Sequence, residues 1–111
     1  MTWLTKRRTL KHLGTLHGTG NLVIENGEQN LGIVTYEIDG YRDQTQRSAN
    51  GQIEGGADIL AQAFAAGGAC IAVTGGEPFD IVLADPLGGP TAEVTVNGRF
   101  PRFAHDLETV S

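Results

Sequence analysis

Residues 16–39 carry the pattern that most restricts what this chain can become. Leu16, Gly18, Gly20, Leu22 and Ile24 alternate along one face, with Val23 opposite, until Asn26-Gly27 interrupts them. Side chains of a strand point to opposite faces in turn, so a period of two reads as β structure. Asn-Gly is the strongest short hairpin signal, because a type I′ turn needs positive φ at both central residues. A second strand follows over about Leu31 to Asp39, with Val34, Tyr36 and Ile38 on one face and Leu31, Ile33 and Thr35 on the other. Apolar groups on both faces at its start predict a central strand whose outer face is partly covered.

Gly40 to Gln46 is polar and reads as a loop or a strand end in water. A weaker third strand spans Arg47 to Glu54, and Gly51 within it marks a bulge or sharp bend of the kind a small barrel uses to curl. Asp58 to Ala66 is the internal helix: Asp58 or Gly56 caps it, Gly67 ends it in the left-handed conformation, and Ile59, Leu60, Ala63 and Phe64 form its apolar stripe over an end or edge of the sheet. Strands four (Ala69 to Thr74), five (Pro78 to Asp85) and six (Ala92 to about Phe100) follow, with turns at Gly75-Gly76 and through residues 86–90.

Leu22-Val23-Ile24 aligns with Ile71-Ala72-Val73 at an offset of 49, Ile33-Val34 with Ile81-Val82 at 48, and Ala49-Asn50-Gly51 with Val96-Asn97-Gly98 at 47. This drifting repeat describes two three-stranded meanders joined by a short helix, neither able to bury its apolar face alone. The predicted fold is all-β: six mostly antiparallel strands in a partly closed barrel or a two-sheet sandwich. At 111 residues there is one core, and 16 glycines favour many tight turns. The domain plan is a basic arm over 1–13, disordered or helical (Trp3, Leu10 and Leu13 share a helical face), a β domain over 14–104, and a tail over 105–111.

Lys6, Arg7, Arg8 and Lys11 give the arm four positive charges and no acid, while residues 14–111 hold four arginines against all thirteen acids, a balance of −9. An acidic body repels phosphate backbones, which disfavours a nucleic-acid role. The twin arginines precede a glycine-rich stretch rather than an apolar one, so they are not read as an export signal. No apolar run approaches the roughly eighteen residues that cross a bilayer. Cys70 is the only cysteine, so there is no disulfide within the chain, and a reducing, cytoplasmic compartment is the simplest expectation.

No motif specifies catalysis, and neither a cofactor nor a metal is implied. His12, His17 and His105 lack ligand spacing. The glycines of 14–20 and 67–68 lack the lysine and the strand–helix context of a phosphate loop. Cys70 lies in an apolar strand with no neighbouring cation in sequence and reads as a core residue, and Asp39, Asp43, Asp80 and Asp85 read as solvated strand ends. Tyrosine and arginine are enriched at interfaces, so Tyr36, Tyr41 and Arg42, with Trp3, Arg7 and Arg8 of the arm, make the candidate interaction surface. The expected function is a non-enzymatic module contacting a protein partner or itself. The rival is a small-ligand protein or enzyme with a site at one barrel end, for which six strands leave little interior room. A third reading docks the arm on an acidic partner or an anionic membrane surface.

Overall fold

The computed structural model describes residues 10–25, 27–43, 46–73, 76–101 and 103. Two long strands, β1 (Leu10–Ile24) and β2 (Gln29–Asp43), pair antiparallel, and β3 (Gln46–Glu54) continues the meander. The helix α1 (Ala57–Ala65) leads to a second antiparallel meander of β4 (Ala69–Ala72), β5 (Phe79–Leu83) and β6 (Thr91–Val96). β1 pairs with β4 and β3 with β6, which closes a six-stranded barrel in the order β1-β2-β3-β6-β5-β4. Full closure, rather than a sandwich, removes the free edges that two separate sheets would keep.

The domain boundary expected at residue 13 falls inside β1, and residues 1–9 lie outside the described residues. A bulge at Leu13 lies between the pairs His12–Tyr41 and Gly14–Gly40, so residues 10–13 are strand and not helix. The extra residue sends both Leu13 and Gly14 into the core, so the apolar period there is no longer two. Gly40 to Asp43 continues β2 as its end, the strand-end alternative of the two readings for this stretch. Gly40 is buried because the Phe103 ring lies over it, at 2.6 Å from where a Cβ would stand.

The first hairpin turns over residues 25–28 rather than on two central residues: Gly27 N–H donates to Ile24, Glu28 N–H to Glu25, and both Glu25 (φ 57°) and Gly27 (φ 91°) are left-handed. No register shift accompanies Gly51; its missing Cβ lets β2 come close, since a Cβ there would stand 1.9 Å from the Glu37 carbonyl. Gly56, not Asp58, caps α1, and Gly67 (φ 84°) ends it as expected. Gly76 N–H donates to Val73 in the second turn.

Leu60 and Ala63 of α1 are buried against the barrel end where β1, β3 and β5 finish, while Phe64 stays 42% exposed. Phe103 is buried at the opposite end. Between them Leu22, Ile38, Ile53, Ile71, Phe79 and Ile81 fill one apolar cluster, and among the described residues no polar side chain is buried. Leu22 and Ile71, matched by the repeat, lie opposite each other across the β1–β4 seam. Ile33 and Ile81, also matched, are out of phase, at 66% and 1% exposed. Among the described residues no helix is long and apolar enough to cross a membrane.

Candidate functional site

Because the interior is filled, polar groups capable of chemistry gather on the outside, in two places. On the outer face of β4 and β5, Cys70 lies opposite Asp80. The chain leaves β6 through Asn97, passes Gly98 (φ 116°) and delivers Arg99 to the same spot. Asp80 accepts three hydrogen bonds from Arg99: from its backbone N–H (2.7 Å, Oδ2), its Nε (3.1 Å, Oδ2) and its Nη2 (2.8 Å, Oδ1). Arg99 Nη2 also reaches the Cys70 sulfur at 3.5 Å. A Cβ on residue 98 would stand 2.7 Å from Asp80 Oδ2, so glycine is what lets this fork close. An open cleft of about 710 Å³ runs past these groups, with Val23, Val82 and Asn97 also on its walls.

These contacts set the protonation states. The Arg99 side-chain hydrogen bonds hold the Asp80 carboxyl below the usual carboxylate range, against a smaller opposing effect of burial. Burial pushes the Cys70 thiol up, only partly offset by the nearby guanidinium, which leaves it a neutral thiol around pH 7. Cys70 is therefore neither the core residue expected from its strand nor an activated nucleophile. β4 is apolar on both faces, so alternation alone does not say which way Cys70 points; Ile71 is the residue that faces inward.

The second cluster lies on the outer face of the β1–β2 ladder. His12 pairs across from Tyr41, with ring centroids 5.3 Å apart, and Thr15 pairs across from Asp39. Asp39 Oδ1 accepts from the Thr15 hydroxyl and meets His12 Nε2 at 3.1 Å. The Thr15 bond first, then His12, lowers the Asp39 pKa below its ordinary value.

Of the residues expected at an interaction surface, Tyr41 is half-buried on this face, in β2 rather than in a loop. Arg42, also half-buried, points to the other face, directly opposite Lys11 and Arg47 in the ladder. Tyr36 does not join Tyr41: it packs against the core, edge-on to Phe79 at 5.5 Å, with its hydroxyl over Gly18. Trp3, Arg7 and Arg8 lie outside the described residues, as does His105. His17 is exposed on β1, and the glycines of 14–20 belong to that strand, not to a phosphate loop. Asp85 accepts from the Leu87 N–H to shape a turn. Among the described residues no three histidine, cysteine or acidic side chains group as metal ligands. Arg99 is the site residue that sequence reasoning missed; Asn97-Gly98 before it is the one local cue, a turn dipeptide able to redirect the chain. Comparison of the chain with protein-family models, curated proteins and solved structures returns no match.

Proposed function

We propose that the protein is a non-enzymatic binding module that works through protein contacts, using the outer face of the β1–β2 ladder around Tyr41. The observation that carries this reading is the contrast between the apolar, filled interior and this face, where Tyr41, His12, Thr15 and Asp39 share one exposed ladder. Aromatic groups with hydrogen-bonding tips, held rigid by strand pairing, are the residues on which interface energy concentrates. The Cys70 thiol, raised by burial, supports the non-enzymatic half of the proposal. The free cysteine favours a reducing, cytoplasmic setting, and the acidic body favours a protein over a nucleic acid.

A photo-crosslinking residue placed at position 41, and as a control at the exposed Leu87, tests the proposal in cell extract and in the purified protein. The expected result is a discrete adduct, with a partner or a second copy, from position 41 only, and its loss in Asp39→Arg. Equal adducts from both positions, or none from either, would overturn it.

A further inference from the structure

A second cavity lies on the opposite side of β2 from the Tyr41 face, and its chemistry is different. Beyond Asn21–Val23 the β1 and β4 strands no longer pair among the described residues, and the separation leaves a cleft of about 470 Å³ at the barrel end away from α1. Leu16, Tyr36, Val73, Phe79 and Pro101 wall it with apolar surface, and Glu77 stands at its side. Glu77 is exposed and has no ion-pair partner among the described residues, and among those residues it is the charged group of the lining. The Tyr36 hydroxyl likewise has no hydrogen-bond partner among the described residues. Its ring is fixed edge-on against Phe79 and over Gly18, where a Cβ would stand 3.1 Å from the hydroxyl, which keeps an aromatic wall in place without occupying the cleft.

We infer that this cleft binds a small amphipathic amine: an apolar, preferably aromatic body between Leu16, Tyr36 and Val73, and a protonated nitrogen against Glu77. The volume lies within the roughly 300–1,000 Å³ typical of small-molecule sites. The charge complement is specific. A cation gains both from the carboxylate and from the negative face of an aromatic ring, whereas an anion would be repelled by Glu77. This site is independent of the protein-contact reading, because it draws on the inward face of β2 and on Val73, Glu77 and Phe79, none of which belongs to the Tyr41 ladder.

Titration of the isotope-labelled full chain by two-dimensional NMR tests the inference with three probes of equal shape: phenethylamine, phenethyl alcohol and hydrocinnamate. Phenethylamine is expected to move the amide signals of Leu16, Tyr36, Gly76 and Phe79 and to bind about five-fold more tightly than the alcohol, the size of one partly exposed ion pair. Glu77→Gln removes that preference, and Glu77→Lys reverses it in favour of hydrocinnamate. The exposed position of residue 77 lets both variants keep the wild-type unfolding midpoint. Equal affinity for all three probes, shifts confined to other strands, or an amine preference that survives Glu77→Lys would each overturn the inference.

Discussion

Asp80 and Asp39 both face outward from the barrel and both are held below the usual carboxylate range, yet by partners of different kinds. Asp80 is gripped by a guanidinium that never loses its proton and by a backbone N–H that a glycine turn aims at it. Asp39 has instead a hydroxyl and an imidazole, both carried by the neighbouring strand. The first arrangement is fixed by chain geometry and ties β5 to the segment after β6. The second ties β1 to β2, which already share fourteen residue pairs, so it adds little to the fold.

The largest break in that comparison is Gly98→Ala. A side chain at φ 116° is strained and its Cβ would collide with Asp80 Oδ2, so a loss of about 1–3 kcal/mol is expected in urea unfolding. An unchanged midpoint would show that the fork does not depend on the turn. Next comes Arg99→Gln, which takes a positive charge from beside Cys70 and leaves Asp80 unopposed. Both changes raise the thiol pKa, so alkylation by iodoacetamide at fixed pH should slow several-fold and its pH profile move upward. A profile that stays in place would mean that Arg99 does not influence the thiol. The smallest effect belongs to Asp39→Asn, below about 1 kcal/mol and shrinking with added salt. Asp39 has its folded pKa depressed, so its contribution is present above the ordinary value of 3.8 and is lost as pH falls through the lower folded value. The difference between wild type and Asp39→Asn, read from melting curves, should vanish on that acid side. Thr15→Val should raise the Asp39 pKa by removing its largest single contact, as read by NMR titration of the carboxyl; an unmoved titration would show that the hydroxyl does not hold the carboxylate.

Six strands, one helix between two meanders, and the helix end at Gly67 were legible in the sequence, since each rests on local signals: alternation, an amphipathic stripe, a left-handed glycine. What was not legible depends on residues far apart in the chain. Gly40 sits in a polar stretch and is nevertheless buried, because Phe103 covers it from sixty-three positions away. Leu13 and Gly14 are both buried because a bulge adds a residue, and a bulge is defined by the partner strand. Ile33 sits in as apolar a context as Ile81 and ends up outside, because the barrel's inner face follows Val34 and Ile38. In the candidate sites the pattern is the same. Tyr41 reads as an exposed aromatic and is half-buried beside His12, and the partner of Cys70 lies 29 residues away, beyond the end of β6.

The two seams of the barrel also fix an order of assembly. Leu22 must wait for Ile71 and Ile53 for Ala92, so during synthesis the whole first meander emerges with its outer strands, β1 and β3, unpaired. Such edges recruit other chains readily, and pairing that is distant in sequence forms slowly. Lys11 on one of these strands, and Arg47 and Glu54 on the other, are charges that discourage a neighbouring nascent chain from adding itself to the sheet. In the finished barrel all three are surface residues, and Glu54 alone of them lies in a stretch that a late strand, β6, comes to pair.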